Sequence, residues 1–184
     1  MFLVTDTSSI TYEIKKSKFV SHLFPYDNFE NIMKKLKSDN PKARHFVYAF
    51  RYLNEFGQIV EGSSDDGEPK GTSGKPTLNV IIGSQLINIG VITVRYFGGT
   101  KLGTGGLVKA YSNSTNLVVE NSNLIEYIKK ERVSISILYK DISKMEYQID
   151  KLKIHIISKD FNNIGAIFVL ESDRESLDKI SLIA

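Results

Sequence analysis

The sequence predicts an α+β protein of two domains. Three observations predict it. Short segments rich in β-branched and aromatic residues alternate with segments of helical periodicity, the pattern restarts near residues 129–132, and the restarted part runs in the order β-α-β-β-α. That order matches a ferredoxin-like unit lacking its last strand. The domains then cover residues 1–130 and residues 131–184.

In the first domain, TYEIKKSKFVSHLFP reads as a strand pair around a basic turn at residues 15–18. DNFENIMKKLKSDNP reads as a helix. Asp27 is placed to cap it with Glu30 three residues on, Phe29, Ile32, Met33 and Leu36 form its apolar stripe, and Asn40-Pro41 stops it. HFVYAFRYL is a strand that turns at NEFGQ into a short IVEGS strand. After the loop SSDDGEPKGTSGKP, the run TLNVIIGSQL is too short for periodicity to decide, and helix is preferred. INIGVITVRYF is a buried strand feeding a glycine-rich segment. GLVKAYSNSTNLVVENS then places Leu107, Ala110, Tyr111, Ser114, Leu117 and Val118 on one helical face.

In the second domain, VSISILY sets Val133, Ile135, Ile137 and Tyr139 at alternate positions, with the serines Ser134 and Ser136 between the first three, as a half-buried strand does. DISKMEYQIDKL repeats Ile142, Met145, Ile149 and Leu152 at helical spacing, with Asp141 as its cap. KIHIISKDF and GAIFVLES are two further strands, and RESLDKISLIA is a final helix.

Composition narrows the function classes. With 41% hydrophobic and 24% charged residues, the chain is an ordinary globular one. It has no cysteine, which removes disulfides, thiolate catalysis and cysteine metal sites together. No apolar run reaches the ~18 residues of a membrane span. The opening MFLVTDTSS lacks the basic start and apolar stretch of a secretory leader, so a cytoplasmic protein with no membrane partner is expected. Residues 1–132 hold 17 Lys and Arg against 13 Asp and Glu, and residues 133–184 hold 7 against 8, an excess in the first part that is compatible with an anionic partner and does not demand one.

Two segments carry candidate chemistry. VRYFGGTKLGTGGLVKAY passes from strand through glycines into a helix, where open backbone amides and the helix dipole favour an anion. Its candidate anion or nucleic-acid residues are Arg95, Gly98, Gly99, Lys101, Gly103, Gly105, Gly106 and Lys109. The dinucleotide fingerprint fails because Val108 stands where its last glycine belongs, and the P-loop fails because Thr104 stands where its lysine belongs. Ordinary nucleoside triphosphate and dinucleotide binding are excluded.

The second segment clusters Asp65, Asp66 and Glu68 among turn formers, as a solvated turn does and as a metal or acid/base site can. The histidines His22, His45 and His155 show no ligand spacing, and no metal and no cofactor is assigned. Tyr48, Phe50, Tyr52, Tyr96 and Phe97 fit either a stacking platform or core.

SDDGEPKGTSGKPTLNV followed by VITVRYFGGTKLGTGGLVKAY resembles the paired signature of the IMPACT family, in its YigZ-type bacterial branch. KKSKF and ARHFVYAFRY stand where that family has similar segments. The resemblance implies an N-terminal β-α-β domain like those of ribosomal proteins and of elongation factor G domain IV, and a ferredoxin-like C-terminal domain. Carried over by position, it selects His45, Asp65, Asp66, Glu68, Arg95, Lys101 and the glycines of residues 98–106. It implies a translation-associated regulator that binds RNA or the ribosome through the basic glycine loop. The alternative is an enzyme acting on a small phosphorylated or carboxylated substrate, with Asp65, Asp66, Glu68 and His45 as its chemistry. On either reading Asp65, Asp66, His45 and Lys101 are expected to line one pocket.

Overall fold

The computed structural model describes residues 1–183; Ala184, the last residue of the segment expected as the final helix, lies outside the described residues. The chain is α+β and divides into two compact units, Met1–Tyr127 and Ile128–Ala184.

The first unit is built on a five-stranded antiparallel sheet of β2 (Ser8–Ile14), β3 (Ser17–Pro25), β4 (His45–Leu53), β5 (Ile59–Ser64) and β6 (Ile89–Tyr96), after a two-residue strand β1 (Phe2–Leu3). Its strand order is β2-β3-β6-β4-β5. β6 is central and has residues 89–95 buried, because helices cover both faces of the sheet. A strand covered on both sides needs a near-continuous β-branched run, which Ile89, Val91, Ile92, Thr93 and Val94 provide.

Helix α1 (Phe29–Asp39) covers one face, where its Leu36 joins Phe24, Phe46, Ile92 and Val94 in one core. Helices α2 (Gly74–Gly83) and α3 (Gly103–Glu120) cover the other. Leu78 and Ile81 of α2 pack with Leu23, Ala49 and Val91, while Leu107, Ala110 and Tyr111 of α3 pack on Phe19 and Val47. The run TLNVIIG is therefore helical, and Pro76 is tolerated because it sits in the first turn of α2, where no helical carbonyl awaits its missing N–H. A short strand β7 (Ile125–Glu126) pairs with β1.

The second unit is a three-stranded antiparallel sheet of β8 (Glu131–Leu138), β9 (His155–Phe161) and β10 (Gly165–Ser172), in the order β8-β10-β9, with α4 (Ile142–Lys151) and α5 (Arg174–Ser181). Ile135, Ile137, Phe168 and Leu170 form one core with Met145 and Ile149 of α4 and Leu177 and Ile180 of α5.

Three local expectations are corrected. Asp27 lies within a 3-10 turn, Tyr26–Asn28, rather than capping α1, and Asp141, although at the cap position of α4, makes no side-chain cap bond. In both places the carbonyl opening a preceding 3-10 turn, that of Tyr26 or Tyr139, already accepts the N–H of the first helical residue. Asp173 does cap α5, accepting from Ser176 N–H at 2.9 Å. Tyr139 leaves the β8 alternation and is 54% exposed, because its hydroxyl donates to the Asn162 carbonyl at 2.7 Å.

The sheet is stitched to α3 by polar groups inside the core. The Ser21 hydroxyl of β3 lies 2.7 Å from that of Thr93 on β6 and 2.7 Å from that of Ser114 on α3, all three fully buried. Removing the middle member leaves the Thr93 hydroxyl buried without a partner and Ser114 with only the Phe19 carbonyl, 3.4 Å away. Ser21→Ala is expected to cost about 1–3 kcal/mol, read as a lower urea midpoint at unchanged m-value; an unmoved midpoint would mean that the hydroxyl chain contributes nothing to stability.

Candidate anion and nucleic-acid interface

Arg95 is the last buried residue of β6, and it faces α3. In the sheet it stands between Phe19 of β3 and His45 of β4, its register partners. Its guanidinium carbon lies 5.4 Å from the Phe19 ring centroid and 5.9 Å from that of Phe97. At 7% exposure such a charge requires a partner, and Glu68 from the loop before α2 is that partner. Arg95 Nη1 donates to Glu68 Oε1 at 2.6 Å and to Oε2 at 2.8 Å, and the Tyr111 hydroxyl of α3 donates to Oε1 at 2.8 Å. Burial raises the Tyr111 hydroxyl far above its ordinary pKa, and the adjacent Glu68 carboxylate adds to that, so Tyr111 stays a neutral donor. One network thus ties β6, the acidic loop and α3 together.

The other two carboxylates of that loop are occupied by the backbone. Asp65 Oδ1 accepts from Ser73 N–H at 3.1 Å, Ser73 Oγ at 2.7 Å and Gly74 N–H at 2.8 Å, and Oδ2 accepts from Gly71 N–H at 2.7 Å. Asp65 therefore satisfies the entry of α2. Burial pushes its carboxyl up, but these donors together outweigh burial and hold it below the ordinary 3.8. Asp66 Oδ2 accepts from Phe46 N–H at 2.6 Å, and its carbonyl lies 2.9 Å from His45 Nδ1. Among the described residues, no group of three His, Cys, Asp or Glu is arranged to hold a metal ion.

The expected single pocket is in fact two cavities. One, of about 450 Å³, is lined by Lys42, Arg44, His45, Arg95, Tyr96 and Phe97. The other, of about 370 Å³, lies between Glu68 and Pro69 on one side and Lys101 and the start of α3 on the other, and it too is lined by Arg95 and Phe97. His45 and Lys101 thus line different cavities that share two side chains. Asp65 and Asp66 line neither, because their carboxylates are turned to backbone amides. Lys109, Gly98, Gly99, Gly105 and Gly106 also lie outside both linings.

Gly98 has a packing reason to be glycine, since a Cβ there would come within 2.0 Å of the Lys16 backbone at the β2-β3 turn. Lys42 and Arg44 were not among the sequence candidates. The signal was the string KARH at the entry to β4, which puts two exposed cations and a histidine at one sheet end.

The geometry defines a protein with a cation-lined, aromatic-edged cleft at the end of an antiparallel sheet. Residues 15–119 match the model of the Impact N-terminal domain. The chain is 39% identical to an IMPACT family member of Haemophilus influenzae, over 81% of this chain and 74% of that protein. It is 33% identical to the IMPACT family member YigZ of Escherichia coli K12, over 83% of this chain and 76% of that one. Its fold is similar to a crystal structure described as that of a hypothetical protein, with a TM-score of 0.71 and 27% identity, covering 98% of this chain and 89% of that one. The chain belongs to the IMPACT family and is of the YigZ type.

Three variants test the network and the Asp65 cap. Glu68→Ala leaves Arg95 buried without a counter-charge and is expected to cost about 3–5 kcal/mol, whereas Glu68→Met, Arg95→Met and Tyr111→Phe together, which leave no member of the network unpaired, should recover most of that loss in a urea titration. Asp65→Ala is expected to cost about 0.5–2 kcal/mol at neutral pH through the lost α2 cap. Because folding depresses the Asp65 pKa, its contribution is present above 3.8 and is lost as pH falls through the lower folded value. The gap in Tm between parent and Asp65→Ala should therefore narrow below about pH 4; a gap independent of pH would separate the Asp65 cap from its charge.

Proposed function

We propose that this protein is a translation-associated regulator that binds RNA or the ribosome through the end of the sheet marked by residues 95–109 and residues 42–45. The observation that carries the reading is the cleft itself. Lys42, Arg44, His45 and Arg95 line it with no carboxylate, and Phe97 stands at its edge, 59% exposed. Lys42, Arg44, Lys101 and Lys109 have no carboxylate partner among the described residues, so their charge is available to an external anion. Cations beside an exposed aromatic ring suit a phosphate chain carrying bases better than an isolated small anion.

The reading extends to the fold. The sheet with α1 to α3 is taken as the ribosomal-protein-like domain, and β8 to α5 as a ferredoxin-like one. The site of action is taken as the cytoplasm; no helix among the described residues is long and apolar enough to cross a membrane. The enzyme alternative has less support, because Asp65 and Asp66 are engaged by backbone amides and Glu68 by Arg95 and Tyr111.

Each phosphate contact to a single strand contributes about −0.7 to the slope of log affinity against log salt. Lys42→Ala with Arg44→Ala is expected to flatten the slope by roughly 1.4 and to weaken all sequences alike, measured by fluorescence anisotropy with labelled RNA. A folded double variant with the parent's affinity and slope would remove the cleft from RNA binding.

A further inference from the structure

The cavity at the start of α3 has a different character from the basic cleft beside it. Its walls are Pro69, Phe97, Leu102 and Leu107, and its polar groups are Lys101, Arg95, Glu68 and the first residues of α3. Leu102 occupies the cap position of α3, with no side-chain cap bond, so the first-turn amides have no side-chain acceptor. Glu68 is occupied by Arg95 and Tyr111. Arg95, more than nine-tenths buried and lining the cavity, uses only Nη1 in that pair, and its Nε is the one fully buried side-chain nitrogen or oxygen without a hydrogen-bond partner among the described residues.

Gly105 adds an independent observation. It is helical, exposed, outside the positive-φ region, and a Cβ there would meet nothing within 4 Å. Neither backbone conformation nor packing asks for glycine at this position, where alanine would favour the helix. Close approach of a ligand to the backbone does ask for it.

We propose that this cavity holds one unpaired nucleotide of a single RNA strand, its base inside against Phe97 and Leu102 and its phosphate at the mouth beside Lys101, on the open first-turn amides that run from the lining residues Gly103 and Thr104 to the exposed Gly105 just outside. The proposal rests on the RNA reading above and specifies it. Open amides and a half-used guanidinium suit a phosphate, whereas the apolar walls give a phosphate nothing and suit the face of a base. A base paired in a duplex cannot present that face to a side chain, so the cavity selects single strands. The neighbouring basic cleft, sharing Arg95 and Phe97, then takes the adjacent phosphates.

The test measures anisotropy of the full chain with a labelled 12-nucleotide single strand and with a blunt duplex of the same sequence, for the parent, Phe97→Ala and Gly105→Ala. Loss of one stacked base is expected to weaken Phe97→Ala on the single strand by roughly 5- to 150-fold, with its salt slope and its duplex affinity unchanged. Gly105→Ala is expected to raise Tm and to weaken the single strand, a pairing of effects that a purely structural glycine would not produce. Duplex bound as tightly as single strand, or Phe97→Ala binding the single strand like the parent, overturns the nucleotide cavity. If the Lys42→Ala and Arg44→Ala variant is still impaired in that outcome, the RNA reading stands without it. A parent that binds neither RNA overturns both.

Discussion

A guanidinium buried at the end of the central strand is the constraint around which the first unit is arranged. Arg95 cannot stay charged in the core without Glu68, and Glu68 can reach it only if the acidic loop folds back over the sheet end before α2 begins. Tyr111 closes the network from α3. An ion pair of this kind is a poor source of stability, since desolvating both charges consumes most of what their attraction returns. What it supplies is position. A strand end, a loop and a helix are placed against one another by short, directional contacts that an apolar cluster would not specify.

The rest of the acidic loop follows from the same need. Its turns leave amides at Gly71, Ser73 and Gly74 that must find acceptors, and the Asp65 carboxylate takes all three. Asp66 pins the loop to the start of β4 through Phe46 N–H. Carboxylates that look like a metal or acid/base cluster in the sequence are thereby turned inward, toward backbone. The loop therefore contributes shape to the site, with Glu68 neutralised by Arg95 and the charges of Asp65 and Asp66 held by backbone amides away from both cavities.

Glycine serves several ends within a few residues. Gly98 permits the crossing over the β2-β3 turn, Gly99 and Gly103 take positive φ, and Gly105 has neither reason. Glycine density in a sequence cannot separate these uses, because the neighbours that distinguish them come from distant parts of the chain. Phe97 is similar. Alternation along INIGVITVRYF makes it one more strand residue, and only the end of β6 at Tyr96 leaves it exposed between two cavities.

The sequence by itself determined the class of the fold and most of its elements. The β-branched run of β6, the 3.6-residue stripes of α1, α3 and α4 and the alternation of β8 are local patterns, each reporting the face its own element buries. The paired motifs determined the family for the same reason, since a string of residues is read without knowing its neighbours. Only the tertiary structure decided that Asp65 caps a helix, that Glu68 neutralises Arg95, that His45 and Lys101 line separate cavities, and that Lys42 and Arg44 join the site. Those outcomes depend on which strand ends meet. The order β2-β3-β6-β4-β5 brings residues 17–19, 42–45, 68, 95–97 and 101–107 to one end of the sheet. Charge and hydrogen bonding are then settled between groups far apart in the chain, and no local periodicity encodes such pairs.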